Sequence, residues 1–168
     1  EKLPLTEDLP KRPVSVYGRT KLMCEQMLED ISKAHGLNFA ALRYFNAAGA
    51  DPDGEIGEQH DPESHLIPNA LKAAVGLGGP MKLFGTDYPT PDGTCIRDFV
   101  HVTDLAEAHI LAAEKIAARA ENLQLNLGAG QGRTVRQVLR AVETATGKPV
   151  PVEIAGRRAG DAVALYAD

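Results

Sequence analysis

The spacing of apolar and polar residues predicts short strands that alternate with amphipathic helices. A first helix is predicted from about Val14 to His35, with Gly36 as the residue that ends it. Its apolar side chains recur at helical spacing at Met23, Met27, Leu28 and Ile31. The short apolar run at 39–45 is typical of a strand that is buried on both faces. Ahead of the helix, residues 1–13 are rich in proline and charge and are predicted to form an extended loop.

Two further helices are predicted after a polar loop at 51–64. One starts near Ile67 or Pro68 and ends at Gly76 or at Gly78–Gly79, because proline suits the start of a helix and glycine its end. The other is rich in alanine, and it is predicted to begin with Thr103 as its cap and to run to about Ala118.

The last helix carries a capping box, in which Thr134 and Gln137 satisfy free backbone N–H groups of the first turn. It is predicted to end at Gly147, and residues 128–132 turn the chain before it. Strands are predicted at 81–84, 96–102, 123–127, 150–154 and 164–167. Alternating strands and helices predict an α/β protein.

Composition argues against a nucleic-acid-binding or membrane-spanning protein. The 168 residues are 43% hydrophobic, enough for a domain with a real core, and the formal net charge is -5. An acidic chain does not offer the basic face that nucleic acid requires, and no apolar stretch is long enough to span a bilayer. Cys24 and Cys95 are far apart without metal-ligand spacing. We therefore expect reduced thiols in a cytoplasmic protein, with Cys24 packed on a helix face.

A tyrosine and a lysine at the start of the first helix are candidates for catalysis. Tyr17 and Lys21 are four residues apart, and positions i and i+4 lie on one helix face. A neighbouring ammonium stabilises a phenolate, which makes a tyrosine a usable base. By itself this spacing favours an ordinary surface pair on an amphipathic helix.

A glycine-rich turn at Gly128, Gly130 and Gly132 lies between a strand and a helix, as in a dinucleotide-binding motif. The third glycine is one residue early for that motif, and Glu153 is farther along than a ribose contact requires. We therefore interpret these glycines as a helix-entry turn.

Four stretches, in the right order along the whole chain, resemble the UDP-glucose 4-epimerase family of the extended short-chain dehydrogenases/reductases. They are residues 17–21 (YGRTK), 42–50 (LRYFNAAGA), 85–102 (GTDYPTPDGTCIRDFVHV) and 157–161 (RRAGD). The Tyr-x-x-x-Lys pair alone is weak evidence, whereas the Asp-Tyr-Pro-Thr-x-Asp-Gly-Thr block is characteristic of the 4-epimerase branch.

The resemblance implies an α/β fold with the C-terminal part of a Rossmann-like NAD domain plus a smaller α/β substrate-binding domain. Residues 1–46 would end the NAD domain, and residues 47–168 would form mainly the UDP-sugar-binding domain, with 98–118 returning to the NAD domain. The family's glycine-rich NAD turn and a catalytic Ser or Thr would lie upstream of Glu1, and the family continues past Asp168. We therefore expect a C-terminal fragment that is inactive alone.

The chemistry that the resemblance implies is NAD-dependent epimerisation at C4 of UDP-glucose and UDP-galactose through a 4-keto sugar. Tyr17 would act first as base and then as acid, and Lys21 would support it and bind the nicotinamide ribose. Phe45 would lie against the nicotinamide, with simple strand packing as the alternative. Because family members dimerise through the tyrosine-bearing helix, a homodimer is expected of the intact protein.

The same resemblance assigns the UDP-hexose to Asn46, His65, Leu66, Lys82, Leu83, Phe84, Arg97, Arg158 and Asp161. Arg97 and Arg158 would grip the diphosphate, because a guanidinium binds phosphate oxygens in a bidentate fashion. Asp161 would accept hydrogen bonds from the ribose, and the strand 82–84 would line the uracil, partly through backbone groups. Leu165 falls where the family limits pocket size, which favours the plain hexoses over N-acetylated ones.

The same residues are compatible with other functions. A nucleotide-sugar decarboxylase or 4,6-dehydratase would share many of these residues, and a non-catalytic UDP-sugar-binding remnant would bind without converting the hexose. A metal site is suggested by the side chains of Glu58, His60, Asp61 and His65. The reaction needs no metal and no third ligand has helical spacing, so no metal is expected.

Overall fold

The computed structural model describes residues 2–168, which form the α/β fold that the sequence predicts. The helices are α1 (Val16–His35), α2 (Leu66–Val75), α3 (Val102–Arg119) and α4 (Val135–Thr146). The strands are β1 (Ala40–Tyr44), β2 (Asn46–Ala48), β3 (Met81–Phe84), β4 (Ile96–His101), β5 (Leu123–Leu127), β6 (Gly132–Thr134), β7 (Val152–Ala155) and β8 (Ala164–Leu165). None of the helices in the described range combines the length and apolar character that a bilayer crossing needs.

The ends of α1 and α4 follow the local sequence. Ser15 caps α1 by accepting a hydrogen bond from the Gly18 backbone, and Gly36 ends the helix in the left-handed conformation. The capping box of α4 is formed as predicted, since Thr134 accepts from the backbone of Gln137 and the Gln137 side chain accepts from that of Thr134.

The cap of α3 is His101, so the prediction of Thr103 was wrong. The helix begins directly after β4, and Val102 is already helical. Nδ1 of the His101 ring accepts a hydrogen bond from the Thr103 N–H and lies 2.7 Å from its hydroxyl. Thr103 therefore belongs to the first helical turn, where its N–H and hydroxyl contact the His101 ring that caps the helix.

The strands pair in three groups. β1 pairs in parallel with β5, and β3 pairs in parallel with β7. In the third group β8 runs parallel to the first residues of β4, β2 runs parallel to its last residues, and β6 is antiparallel to it. The sequence predicted only a turn at β6, because a strand of three residues shows too little alternation to detect.

The main core lies where α2, α4 and β3 meet. Alanines on α2 allow α4 to approach closely, and the apolar face of α4 covers them. The buried members of this cluster are Ala70, Ala73, Ala74, Met81, Leu139, Val142 and Val150. This core holds β3 and the start of α2 in fixed positions.

The other end of the molecule is packed less tightly, which corrects two predictions. Phe39 is buried, but β1 itself is only partly buried, and Tyr44 at its end is 53% exposed. Helix α3 covers one face of β1, whereas α1 meets the strand through Glu25, a polar side chain that pairs with Arg43. Cys24 is exposed rather than packed, because its neighbour Glu25 occupies the face of α1 that meets the sheet.

Candidate functional site

Tyr17 and Lys21 lie together in the first turns of α1, as their spacing predicts. The ammonium nitrogen of Lys21 is 5.3 Å from the centroid of the Tyr17 ring. Tyr17 is 72% exposed, so its ring is open to a ligand rather than packed into the fold. The helix therefore presents a phenol and a cation side by side on an accessible surface.

A network of polar side chains joins α1 to the sheet formed by β1 and β5. The carboxylate of Glu25 accepts two hydrogen bonds from Arg43, at 2.6 Å from Nε and 2.9 Å from Nη2, and one at 2.7 Å from Lys11. The Arg43 guanidinium beside Glu25 lowers the pKa of that carboxyl, against the opposing effect of burial. Sequence reasoning missed this pair, because its members are 18 residues apart on different elements.

Arg97 and Asp161, both predicted to bind substrate, are paired. Nη2 of Arg97 donates to Asp161 at 2.5 Å, and its Nη1 donates to the carbonyls of Ile96 and Ala162 at 2.7 and 2.9 Å. These contacts occupy three of the five N–H donors of a guanidinium, so two remain for another acceptor. Arg97 is therefore a fixed cation with spare hydrogen-bonding capacity.

Arg158 lies on Phe84, which brings two more predicted residues together. The guanidinium carbon of Arg158 is 3.8 Å from the Phe84 ring centroid. The backbone N–H of Asp161 bonds the carbonyl of Arg158 at 3.3 Å, so both charged side chains belong to one turn. Burial raises the pKa of the nearby Cys95 thiol, with Asp161 adding to the rise and both Arg97 and Arg158 opposing it.

Strand β3 contributes to this region by an edge that no strand in the described residues covers. The backbone N–H groups of Met81 and Gly85 donate to the carbonyls of Pro151 and Ala155, at the two ends of β7. The backbone N–H and C=O groups of Lys82 and Phe84 therefore point to the opposite edge of β3. Leu83 is 2% exposed and its side chain faces the core. The side chain of Leu83 therefore packs in the core, and the assignment of strand 82–84 to the uracil stays a prediction.

The loop between β3 and β4 is built from hydrogen bonds that the sequence reasoning did not assign. Asp92 accepts from the backbone and hydroxyl of Thr94, at 3.0 and 2.6 Å, and from the hydroxyl of Thr134 at 2.5 Å. Gly93 has a φ of 79°, and a Cβ there would lie 2.1 Å from the Thr86 carbonyl oxygen. This part of the Asp-Tyr-Pro-Thr-x-Asp-Gly-Thr block therefore serves as a scaffold.

Tyr88, in the same loop, is 4% exposed, and its hydroxyl has no hydrogen-bond partner among the described residues. Arg157 stacks on its ring at 4.3 Å and pairs with Asp87 at 2.8 Å. Burial raises the pKa of the Tyr88 hydroxyl, with Asp161 adding to the rise, which keeps it protonated.

Asp98 connects β4 to the segments that follow β5 and β8. Its carboxylate is fully buried and accepts hydrogen bonds from the backbone of Ala129 at 2.9 Å and of Ala167 at 3.1 Å. A Cβ on Gly128 would lie 2.4 Å from the Asp98 carboxylate, so close packing accounts for this glycine without a dinucleotide. The side chain of Asn46 donates to the Asp98 carbonyl at 2.7 Å, which fixes Asn46 beside β4.

The predicted residues His65 and Leu66 lie at the start of α2. Leu66 packs on the main core, and Nδ1 of His65 lies 2.9 Å from Glu63 and 2.5 Å from Glu58. Since an ionised carboxylate only accepts hydrogen bonds, Nδ1 of His65 is the group that would donate in these contacts. His60 is also close enough to form a group of possible metal ligands with Glu63 and His65. The backbone N–H groups of residues 64 and 65 also donate to the Glu63 carboxylate, so the cluster stabilises the turn that leads into α2.

Most of the predicted residues fall into three groups, with Phe45 and Asn46 outside them, where β1 leads into β2. One combines the edge of β3 with Arg97, Arg158 and Asp161, and the other two are the Tyr17–Lys21 pair and the start of α2. Phe45 lines a cavity of about 300 Å³ at the end of β1. Residues 5–7, Arg43 and Tyr44 are among the others that line it. Within residues 2–168, no hydrogen bond joins the Tyr17–Lys21 pair to the arginine group.

Comparison with known proteins gives a family match over most of the chain. Residues 1–128 match the model of the NAD dependent epimerase/dehydratase family. The UDP-glucose 4-epimerase of Halalkalibacterium halodurans is 49% identical over 165 residues, which cover 98% of this chain and 49% of that protein. The chain therefore spans about half the length of the curated relatives it matches.

Solved structures agree with this match. The crystal structure of UDP-glucose 4-epimerase from Brucella ovis in complex with NAD is 54% identical, with a TM-score of 0.96 over 100% of this chain and 52% of that one. The enzyme of the same name from Bifidobacterium longum, in complex with NAD+ and UDP, is 39% identical, with a TM-score of 0.90 over 100% of this chain and 51% of that one. The fold class is therefore the Rossmann-like α/β fold of about half of each of these structures.

Proposed function

The chain belongs to the NAD dependent epimerase/dehydratase family, and we propose that the protein carrying it interconverts UDP-glucose and UDP-galactose by epimerisation at C4 of the hexose. The relatives that share half of their length with it are named UDP-glucose 4-epimerases. Because the chain spans only that half, the activity is proposed for the complete protein and not for these residues alone.

One observation carries the proposal: Lys21 and an exposed Tyr17 are neighbours on α1, 5.3 Å from ammonium to ring centroid. An enzyme that oxidises and then reduces the same carbon needs one group that can both take up and give back the proton of the hydroxyl. Tyr17 has an accessible hydroxyl for this purpose, and Lys21 supplies the positive charge that stabilises its phenolate form.

The residues present fit NAD as the cofactor at two points. The exposed ammonium of Lys21 can donate to ribose hydroxyls, and the ring of Phe45 provides a flat apolar surface beside a cavity at the end of β1. When bound, NAD would accept the hydride from C4 of the sugar and return it. The chain's own residues would hold the cofactor and handle the proton.

In this mechanism Tyr17 removes the proton of the 4-hydroxyl as the C4–H bond breaks, which leaves a 4-keto sugar. The hexose then turns over, so that its other face is presented for reduction. Tyr17 returns the proton to the same oxygen and the opposite configuration results. Atoms and charge balance over the cycle, because the proton and the hydride that leave the sugar both return to it.

A sugar that turns over must be held by its nucleotide and not by the ring. The group at the edge of β3 suits this requirement, since Arg97 is fixed by three hydrogen bonds and Arg158 is held on Phe84. The two guanidinium groups offer planar sets of N–H donors to a diphosphate, although the charge of Arg97 is partly offset by Asp161. The free backbone groups of Lys82 and Phe84 offer a donor and an acceptor to a uracil edge. Asn46 and His65, at strand and helix ends, would complete the contacts to the phosphates and the sugar.

The domain division is part of the same proposal. Residues 2–46 would end the NAD domain, and α3 within 98–118 would return to it, which is supported by the packing of α3 against β1 and β5. Since β5 pairs with β1 along its whole length, we extend the NAD domain to this strand as well. The remaining elements would bind the UDP-sugar.

A homodimer through α1 is also proposed. Val16, Met23, Met27 and Ile31 form an apolar stripe on this helix, with exposures of 73, 60, 60 and 40%. An exposed apolar stripe on a helix is typical of an interaction surface. Sedimentation of the full-length protein with and without Met27→Lys would test it, since a charge in the stripe should shift a dimer towards monomer.

The function is tested by replacing Tyr17 with Phe in the full-length gene product, which removes one hydroxyl and keeps the ring. We expect interconversion of UDP-glucose and UDP-galactose to be lost while the affinity for UDP, measured by calorimetry, stays unchanged. Thr144→Val is the control, because it also removes one hydroxyl, and the Thr144 hydroxyl only bonds the Arg140 carbonyl within α4 among the described residues. Wild-type protein that binds UDP-glucose without converting it would instead favour a binding remnant.

A further inference from the structure

We propose that Glu25, held by Arg43, is a positioning residue for Tyr17: the pair fixes the rotation of α1 on β1 and thereby sets the direction of the phenol. The inference rests on the proposed function, because it takes Tyr17 to be the acid–base residue. Glu25 itself touches neither substrate nor cofactor in this proposal and acts only through the helix.

Within residues 2–168, apolar packing holds α1 only loosely, because Leu22 and Leu28 on its sheet-facing side are just partly buried. No residue of this helix is buried, and the apolar side chains of Met23 and Met27 are each 60% exposed. Tyr17 is 72% exposed, so its own surroundings do not hold it in place either. The direction of the phenol therefore depends on whatever anchors the helix as a whole.

The hydrogen bonds that anchor α1 within the described residues lie along one face. Glu25 bonds Arg43, Glu29 accepts from Gln124 at 2.7 Å, and Ser32 accepts from Asn122 at 2.7 Å. The spacing of 25, 29 and 32 places all three on the side of α1 that faces the β1–β5 sheet. These contacts add directional anchors to the face of α1 on which Leu22 and Leu28 are partly buried.

The Glu25–Arg43 contact differs from the others in geometry and burial. Two parallel hydrogen bonds of 2.6 and 2.9 Å join the groups, and the side chains are only 12 and 24% exposed. A bidentate pair fixes orientation as well as distance, whereas a single hydrogen bond leaves rotation free. Lys11 adds a third donor to the same carboxylate and thus ties in the segment before α1.

Both members of the pair are close in sequence to predicted site residues. Glu25 lies one helical turn after Lys21 and two turns after Tyr17. Arg43 precedes Phe45 and Asn46 in the segment where β1 leads into β2. The pair therefore connects α1, which carries Tyr17, to the segment that carries Phe45 and Asn46. A shift of about 1 Å in a reacting group can lower a rate by about a hundredfold.

The test uses the full-length protein with Glu25→Gln, which keeps the shape of the side chain and removes its charge. We expect kcat for UDP-hexose interconversion to fall by about tenfold to a hundredfold, while KM changes by less than about twofold. Arg43→Lys should show a similar loss, because lysine keeps the charge but lacks the planar fork. Melting temperature and circular dichroism confirm that each variant is folded.

Glu29→Gln is the matched control, since Glu29 is on the same face of α1 but makes one hydrogen bond to a neutral side chain. It should leave kcat within about twofold of wild type. A folded Glu25→Gln variant with wild-type kcat, or an equal loss in Glu29→Gln, would overturn the inference.

Failure of the proposed function would look different, because wild-type protein would then show no interconversion at all. In that case amide hydrogen exchange across residues 16–24 decides whether the pair orders the helix start. Faster exchange in Glu25→Gln than in Glu29→Gln would support the anchoring role, and equal exchange in the two variants would end it.

Discussion

The guanidinium of Arg158 stacks on the ring of Phe84, 3.8 Å from its centroid. This contact places Arg158 at the edge of β3 proposed for the nucleotide, so Arg158→Ala should weaken UDP binding by about 1.5–3 kcal/mol, the range for a hydrogen bond to a charged group. Calorimetry of the full-length protein with UDP measures the change. Arg157→Ala is the control, because its guanidinium stacks on Tyr88 and pairs with Asp87 instead. Equal affinities of Arg158→Ala and wild type would remove Arg158 from the site.

Arg97→Ala should also weaken UDP binding, by about 1.5–3 kcal/mol. Its side chain keeps two N–H donors after bonding Asp161 and two carbonyl groups, and those donors are lost on truncation. Arg133→Ala is a close control, because Arg133 is the cross-strand partner of Arg97, is exposed and bonds only Gln131 among the described residues. A similar loss in both variants would indicate a general effect of positive charge and not a specific contact.

Short-range signals in the sequence were sufficient for much of the fold. Gly36 ends α1 and the Thr134–Gln137 box opens α4 as predicted, because capping involves residues within one helical turn of each other. The cap of α3 was misplaced by two residues, since both His101 and Thr103 can cap and only the end of β4 decides between them.

Long-range contacts in the site could not be predicted in the same way. The buried Asp98 and the pair of Glu25 with Arg43 depend on strands and helices that meet only in the folded chain. The burial of Leu83 was within reach of the sequence, because side chains alternate along a strand and Met81 already faces the core. The resemblance identified candidate residues, and the structure shows which of them support one another.

Asp92→Asn should destabilise the fold near neutral pH by about 1–3 kcal/mol, because the buried hydroxyl of Thr134 and both donors of Thr94 lose a charged acceptor. Burial alone would raise the pKa of Asp92, but the hydrogen bonds of Thr134 and Thr94 outweigh it and lower the pKa below its usual range. A carboxyl with a lowered pKa in the folded state stabilises the fold above its unfolded pKa. This contribution is lost as the pH falls through the folded pKa.

The difference between wild type and Asp92→Asn should therefore shrink as the pH is lowered below 3.8, the ordinary pKa of an aspartate. Urea unfolding at several pH values measures it. Asp87→Asn serves as the control, because the Asp87 side chain is 73% exposed and its pairing with Arg157 should contribute little. A difference that stays constant down to acid pH would contradict the role of the Asp92 charge.

Substrate choice can be tested at Leu165, which pairs with Arg97 across β8 and β4 and is partly buried. The family resemblance makes this the position that limits room beside the sugar. Leu165→Ala removes three carbon atoms there, and each methylene in a pocket is worth roughly tenfold or more in selectivity. We therefore expect kcat/KM for UDP-N-acetylhexoses to rise by about tenfold relative to the plain UDP-hexoses.

The same reasoning predicts the opposite change for Leu165→Tyr, which should lower kcat/KM for the N-acetylated sugars and leave the plain hexoses nearly unaffected. Val163→Ala controls for a general loosening of the segment, because Val163 lies just before β8 and is 38% exposed. Only a change in the ratio of the two substrates supports the assignment, since a looser segment would affect both alike. A parallel loss for both sugars in Leu165→Ala would show that the side chain packs against Arg97 without bordering the sugar.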